Sequence, residues 1–553
     1  MKKGADLLLE SLNACGVNYI FGLPGSTEAP LLDALIGHPE IHYILALHES
    51  IVIGMADGFA RATGKPAVAN LHTTVGTGNG LTGLFNAWKD SSPVVTIATH
   101  KHSRILSRDG FCVGPDLAEW ARPVTKWSWQ GIHADQVSNE VFRAMKVAGT
   151  APCAPVFLCY PEDLLGAEVD EAAIGLQRPV TIEEDAWAAP SQIHSIAQLL
   201  ASSRRPVIIA GDEVSATGST SLVSRLAKLL AIPVFQESRR SALTWNVAKD
   251  DPAYAGEYFS KNPLVQEADV ILALGCRLSV EFSPVSSPDV PPSAKLIHVH
   301  RDPWEVGKLY PPEIAVAASV RPLLEALLEL LENNKLDWHT AAQREREQLW
   351  PIMTPGGSTE QHDHTSTSLT PEDLARALAR HAPGNAVIVD EAIRSSQAIL
   401  EHYPLHPGAY FHSSGGGLGW GLPAALGIQL AWPDRTVIAA IGDGSLLFAI
   451  QALWTAVREN LPVKVVVPNN AKYLAVKAGM VEYNQVAVAT QQFPGVDLTN
   501  PAIDLVALAQ GFGVPGKHVK TGSDLDEALQ WAFRHPGPVL VDVTVSDAPL
   551  RRG

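Results

Sequence analysis

At 553 residues the chain is too long for a single core and suggests about three or four domains of roughly 100–200 residues each. It is 46% hydrophobic and 18% charged, which excludes disordered and collagen-like classes. A net charge of −16 argues against nucleic acid or anionic lipid as a partner, but says nothing about a small substrate, because a local pocket can oppose the global sign.

The start, MKKGADLLLESLNACG, lacks a long apolar stretch and predicts a helix rather than a leader. Five cysteines, none in a CxxC pair, argue against a disulfide framework or a zinc site and for a reducing cytoplasm. No apolar run approaches the 18 or so residues needed to span a bilayer.

Three segments alternate apolar strand-like runs with amphipathic stretches, the pattern of βαβ units and parallel sheets. The first covers residues 1–168. Its predicted strands are Tyr19–Phe21, Ile41–Leu45, Ala67–Leu71, Val94–Ala98 and Val156–Cys159, with helices over Ser50–Thr63 and Gly80–Lys89. The stretch from Glu168 to Pro190 predicts a linker. The second segment, 190–335, carries the apolar strand runs PVIIAGDE, VILALGC and KLIHVHRD, as in sheets covered on both faces. A second linker follows to Ser368, in which LDWHTAAQREREQLW is a candidate helix. The third segment, 368–553, has strand runs at AVIVDE, TVIAAIGDG, VKVVVPNN and PVLVDVTV, with helices over Leu446–Arg458 and Asp524–Phe533. The fold class is α/β, three doubly wound domains with parallel sheets.

One motif carries chemistry. Gly442-Asp443-Gly444-Ser445 directly follows a strand run, and Asn469-Asn470 ends the next, with twenty-four residues between Gly444 and Asn469. Both pieces then lie at the carboxyl edge of adjacent strands, where open α/β sheets bind ligands. A hard cation such as Mg²⁺ takes oxygen ligands and keeps diphosphate oxygens in its shell. Asp443 offers a carboxylate and Asn470 an amide oxygen; Gly444 permits close backbone approach. Alone, Gly-Asp-Gly is often a tight turn; context and spacing together argue for a diphosphate–metal site.

At this point the chain resembles the thiamine-diphosphate enzymes, whose signature is GDG followed about 24–27 residues later by NN. FGLPGSTE, ILALHES, ADGFARATGKPA, NLHTTVGTGN, RPVTKWS, GGGLGWGLPAA and GDGSLLFAIQALWTA resemble the benzoylformate-decarboxylase branch in order, over essentially the whole chain. The acetolactate-synthase branch shares several of them but lacks the histidine of NLHTTVG.

The resemblance implies a pyrimidine-binding, a central and a diphosphate-binding domain. It implies thiamine diphosphate and Mg²⁺, with FAD not expected. Gly442, Asp443, Gly444, Ser445, Asn470, Lys472 and Tyr473 would bind cofactor, with Asp443, Asn470 and the Lys472 carbonyl on the metal. Glu49 would hydrogen-bond the aminopyrimidine and promote its imino tautomer; its bland alternative is a helix-cap residue. His72 would shuttle protons, as imidazole does near neutral pH, or be a structural histidine. Ser26 would contact the substrate carboxylate, cap a helix, or both. Leu418 would wedge between the cofactor's rings, or be a core leucine. Phe111, Phe282, Ile393, Ala475 and Val476 would line the substrate pocket.

There are departures. Phe282 falls where the branch has a second active-site histidine, and Leu474 replaces a glycine in an altered stretch after Asn470. His100, His102 and His412 are extra imidazoles, expected at the surface, with substitution for that second histidine as the alternative.

The implied activity is non-oxidative decarboxylation of a benzoylformate-like 2-oxo acid. The alternatives are a carboligase or lyase, and a non-catalytic cofactor-binding protein, against which the presence of Glu49, Asp443 and Asn470 counts. A homodimer or homotetramer with active sites between subunits is implied.

Overall fold

A computed structural model describes residues 1–170, 178–182, 186–278, 280–281, 288–333, 346 and 368–547. The chain divides into two compact units. One joins residues 1–182, 364–403 and 415–553; the other holds 183–363 and 404–414.

In the first unit the N-terminal sheet has strands β1 (Tyr19–Gly22), β2 (His42–Leu45), β3 (Ala67–His72), β4 (Val94–His100), β5 (Trp127–Gln130) and β6 (Val156–Pro161). They hydrogen-bond in the order β2-β1-β3-β4-β6-β5, all parallel. Strands β3, β4 and β6 are almost wholly buried, which is why they read as continuous apolar runs. Leu8, Leu9 and Leu12 of the N-terminal helix are fully buried in that core, at roughly 1.5–3 kcal/mol each relative to exposure. Glu168–Val169, expected to open a linker, instead pairs antiparallel with Lys2–Lys3.

The second unit holds β7 (Pro206–Ala210), β8 (Val234–Gln236), β9 (Tyr254–Glu257), β10 (Val270–Leu274), β11 (Lys295–His300) and β12 (Ile314–Ala317) in the order β9-β8-β7-β10-β11-β12. That is a doubly wound arrangement with helices on both faces. The helices Pro190–Ser202, Thr220–Leu230 and Val320–Glu332 bury leucines against one face of it.

The third sheet, over the five strands lying in the first unit, comprises β13 (Val387–Glu391), β14 (Val437–Ile441), β15 (Lys464–Asn469), β16 (Gly516–Val519) and β17 (Val539–Thr544). They run β13-β14-β15-β17-β16, parallel throughout. This is the N-terminal order without its β2 edge. The parallel-sheet α/β expectation therefore holds.

Helix α1 (Glu49–Thr63) follows β2, and α2 (Thr73–Lys89) follows β3. Helix α3 (Gly421–Ala431) precedes β14 and packs on α1, with Trp420 Nε1 donating to Asp57 Oδ2 at 2.6 Å. Helix α2 begins seven residues earlier than the sequence suggested. TTVGTGN lies outside the predicted helix, yet glycines here let the helix press on its neighbours: a Cβ on Gly76 would lie 3.0 Å from Glu49 Oε1, and one on Gly80 2.8 Å from Leu71 Cδ1. The expected helix Leu446–Arg458 is two pieces, α4 (Asp443–Leu446) and Ala452–Arg458. The candidate helix in LDWHTAAQREREQLW lies outside the described residues apart from Arg346.

Candidate cofactor and active site

The metal-type residues leave neighbouring strands at one edge. Strands β14 and β15 pair in register from Ile438 with Lys464 to Ala440 with Val466, so Asp443 and Asn470 both follow carboxyl ends. Asp443 is 7% exposed, and no lysine, arginine or histidine pairs with it among the described residues. Burial pushes its carboxyl up to about 6, against the pull of the backbone N–H groups of Gly444 and Lys472. A buried carboxylate without a counter-charge is costly unless it is protonated or meets a cation. Asn470 Oδ1 accepts from the Lys472 N–H at 3.1 Å and keeps a second lone pair. One carboxylate and one amide oxygen, on adjacent strand ends, suit a hard divalent cation.

The surrounding residues build that edge. Asn469 donates to Asp542 Oδ1 and accepts from Ala471 N–H, both at 2.9 Å, so it shapes the turn rather than meeting a ligand. Lys472 gives its ammonium to Asp547 at 3.1 Å, leaving its carbonyl as the group it could offer a metal. Tyr473 explains Gly444: a Cβ there would lie 2.5 Å from the tyrosine ring. Ser445 is buried, and Gly442 is extended ahead of α4.

The N-terminal edge carries the acid–base groups. Glu49 opens α1 and is 7% exposed; its Oε2 accepts from Asn79 Nδ2 at 3.0 Å. His72 ends β3. Its Nδ1 lies 2.9 Å from Glu28 Oε2 and 3.0 Å from Thr27 Oγ1. Glu28 is completely buried, and its Oε2 also accepts from the Gly25 N–H at 2.7 Å. A carboxylate on Nδ1 fixes the ring's tautomer and orientation, and no hydrogen bond occupies Nε2 among the described residues. Gly25 is needed for this contact, since a Cβ there would lie 2.3 Å from the imidazole. Ser26 is exposed and accepts from Lys101 Nζ at 3.3 Å.

The Gly-rich loop is pinned from below. Glu391, the last residue of β13, accepts from the N–H groups of Gly419, Trp420 and Gly421 at 2.9, 3.2 and 3.0 Å. Burial pushes its carboxyl up to about 7 despite those three donors. Asn86 exchanges two hydrogen bonds with Gly417, at 2.9 and 3.0 Å. Half-buried Leu418 is thereby held from both sides.

Backbone strain collects at these strand ends. Thr73 (φ +42°), Ile393 (φ +53°) and Ala471 (φ +53°) sit in the left-handed region, where β-branched residues are outliers. Each follows a carboxyl strand end within a few residues. Strain of this kind persists where surrounding structure over-determines it, often at functional sites.

Of the expected pocket residues, Val476, on helix α5 (Leu474–Tyr483), lines a groove of about 450 Å³ with Gly479, Met480, Tyr483, Val486 and Ala487. Ala475 and Ile393 are exposed and lie outside that lining, and Phe111 is 83% exposed. Phe282 lies outside the described residues. Two of the three extra histidines are not at the surface. His100 is 3% exposed at the end of β4, and His412 is 8% exposed with Nε2 on the Arg239 carbonyl at 2.9 Å. Their neighbours in sequence are apolar or strand-forming, a signal the polar residue type masks. His102 alone of the three keeps a half-open side chain.

Three residues were missed from sequence. Glu28 sits inside FGLPGSTE, where a capping role hides its reach to β3. Glu391 is the last letter of AVIVDE. Lys101 looks like a solvated lysine. No local pattern pairs Glu28 with His72; only the strand order does.

The comparisons with known proteins agree. Residues 2–119 match the thiamine pyrophosphate enzyme N-terminal TPP binding domain, residues 193–327 its central domain, and residues 394–543 its C-terminal TPP binding domain. The chain is 32% identical to a benzoylformate decarboxylase of Pseudomonas aeruginosa, over 98% of this chain and 99% of that one. It is 29% identical to an acetolactate synthase large subunit of Escherichia coli, over 98% and 96%. A thiamine diphosphate-dependent 4-hydroxybenzoylformate decarboxylase of Rhodococcus jostii superposes with a TM-score of 0.88 at 30% identity, covering 99% of this chain and 100% of that one. With three matched domains in order and a full-length relative above 30% identity, the chain belongs to the thiamine pyrophosphate enzyme family.

Proposed function

We propose that the chain is a Mg²⁺-dependent, thiamine-diphosphate-dependent decarboxylase that converts an apolar, benzoylformate-like 2-oxo acid non-oxidatively to an aldehyde. The observation that carries this reading is the pairing of buried Glu28 with half-buried His72, an oriented imidazole at the edge of the pyrimidine-type domain. The 32% identical benzoylformate decarboxylase supports it.

When bound, thiamine diphosphate supplies the nucleophilic carbon and the electron sink for carbon dioxide loss. Asp443, Asn470 and the Lys472 carbonyl would hold Mg²⁺ against the diphosphate. Glu49, fixed by Asn79, holds a proton at the pyrimidine ring nitrogen. Leu418 would support the cofactor from the Gly-rich loop. His72 Nε2 would supply the proton that replaces the departed carboxylate, and Ser26 would orient that carboxylate beforehand. The groove beside Val476 suits an apolar substituent.

The site is shared between two copies of the chain, one supplying Glu49 and the other Asp443, in a homodimer or a tetramer of such dimers. The exposed apolar residues Val75, Phe85 and Trp88 on α2, the helix packed against Glu49, support a covered face there. Among the described residues no helix is long and apolar enough to cross a membrane, and we place the enzyme in the cytoplasm.

A panel of aryl and alkyl 2-oxo acids, with thiamine diphosphate and Mg²⁺ added, tests the reading. Carbon dioxide and aldehyde in equal amounts are expected from at least one acid. No carbon dioxide from any of them contradicts it. A second reading, ligation of the same donor to a carbonyl acceptor, is favoured by the acetolactate synthases at 28–29% identity. Product analysis with an aldehyde acceptor separates the two.

A further inference from the structure

We propose that Lys101 is a recognition residue for the acid end of a 2-oxo acid, its ammonium completing, beside Ser26, the carboxylate contact already assigned to that serine. This rests on the 2-oxo acid reading above and names a recognition residue for it.

Strands β1, β3 and β4 are consecutive neighbours in the sheet. Their carboxyl ends lead to Ser26, His72 and Lys101, with β3 and β4 in register up to His72 opposite Thr99. The chain crosses from one side of β1 to the other between β2 and β3, and ligands of open α/β sheets bind in the crevice at such a switch point. Three groups of different chemistry therefore meet at the place where the fold provides a ligand site: an oriented imidazole, a hydroxyl and an ammonium.

The ammonium is set up for an anion. Lys101 Nζ donates to Ser26 Oγ at 3.3 Å and forms no ion pair within 4.0 Å among the described residues. Surface lysines of an acidic chain have many carboxylates to choose from, and this chain carries 58 Asp and Glu against 42 Lys and Arg. Such an excess repels an anionic substrate at long range, so capture needs a local cation. The adjacent His100 does not compete for the anion. It is 3% exposed, its Nδ1 has no hydrogen-bond partner, and burial lowers its pKa, which keeps it neutral. With Ser26 accepting from the ammonium, its hydroxyl hydrogen is free to donate to a second oxygen, so Nζ and Oγ together match the two oxygens of a carboxylate.

The chemistry fixes how the subsite acts. An ammonium stabilises a carboxylate most before that charge is lost as carbon dioxide. For a decarboxylated donor the contact therefore lowers KM and does not raise kcat. For an acceptor acid that keeps its carboxylate, the contact persists through the reaction. Both sources share one recognition chemistry.

The test uses the full chain loaded with thiamine diphosphate and Mg²⁺, as wild type, Lys101→Gln and Lys101→Arg. Phenylacetate, an acid that cannot decarboxylate in this way, serves as a binding probe in calorimetry. Lys101→Gln is expected to weaken phenylacetate, and to raise KM for the donor acid, about 10- to 100-fold, the range of one charged hydrogen bond. Its kcat and its affinity for benzaldehyde stay within about threefold, and Lys101→Arg restores most of the loss. Wild-type phenylacetate binding should weaken with added salt, and the Gln variant's should not. A rise in KM confined to a 2-oxo acid acceptor assigns the subsite to the acceptor and supports the proposal. Unchanged phenylacetate affinity and unchanged KM values for both acids overturn it, as does an equal loss for benzaldehyde. If wild type decarboxylates nothing, the functional reading falls, while the phenylacetate comparison still decides the subsite.

Discussion

The N-terminal and C-terminal sheets repeat one strand order, yet their ligand edges carry opposite chemistry. The chain places β1 beside β3 in one and β13 beside β14 in the other, and continues outward through β4 and β15. After β3 the N-terminal sheet presents His72, and after β14 the C-terminal sheet presents Asp443. At the end of β4 stand His100 and Lys101, and at the end of β15 Asn469 and Asn470. The N-terminal edge thus holds imidazoles and an ammonium, and the C-terminal edge holds hard oxygen donors. A strand order decides where ligands go, and the residues at the strand ends decide which ones. The central sheet, with its different order, supplies none of the expected catalytic residues among those described.

The largest effect that can break this contrast is at the metal edge. Asp443→Ala should weaken thiamine diphosphate binding at least about 100-fold and abolish turnover, measured by cofactor titration with and without Mg²⁺. Retained tight binding would remove the clamp. Glu49→Gln should instead keep cofactor affinity and lower kcat on the order of 100-fold or more, since a general acid–base group contributes that much. Glu28→Gln comes next. It leaves His72 in place without a carboxylate on Nδ1, and kcat should fall roughly 10- to 100-fold with little change in KM, the cost of losing an orienting partner.

Smaller effects test the strain and the burial. Ile393→Asn puts a residue tolerant of the left-handed region at φ +53° and should raise stability by about 1 kcal/mol in chemical denaturation. No gain would mean the backbone there is not strained. For Asp443 the sign is explicit. Its carboxyl is raised from 3.8 to about 6 in the folded chain, so its contribution to stability is present below 3.8 and lost as pH rises through about 6. In the cofactor-free chain, Asp443→Asn should therefore gain in Tm over wild type as pH goes from 5 to 7.5, by a few degrees at most. Mg²⁺ with cofactor should erase that gain by supplying the missing counter-charge to wild type.

Much of this was legible in the amino-acid order. Strand runs such as VIAAI and VILAL are apolar because both faces of a parallel sheet are covered, and that property is local. The GDGS and NN pieces announce themselves because small and oxygen-bearing residues at adjacent strand ends suit a diphosphate. What stayed hidden depends on which strands become neighbours. Glu28 and His72 are 44 residues apart and meet because β1 lies beside β3. Glu391 reaches the Gly419–Gly421 amides through the same kind of neighbourhood. Helix α2 is longer than the sequence predicts, since glycines that signal a loop locally serve close packing against Leu71 and Glu49 here. His100 looked solvated because residue type, without the sheet, cannot say that a histidine ends a covered strand.

The central claim is that the two edges, one from each of two chains, build a single catalytic site. Coexpression of Glu49→Gln and Asp443→Ala chains carrying different tags, followed by purification of the doubly tagged species, tests it. Each variant alone is inactive in this account. In the mixed dimer one site collects both substitutions and the other has neither, so about half of the wild-type kcat per dimer should return. Mixed dimers that bind cofactor no better than Asp443→Ala and show no turnover would contradict the claim.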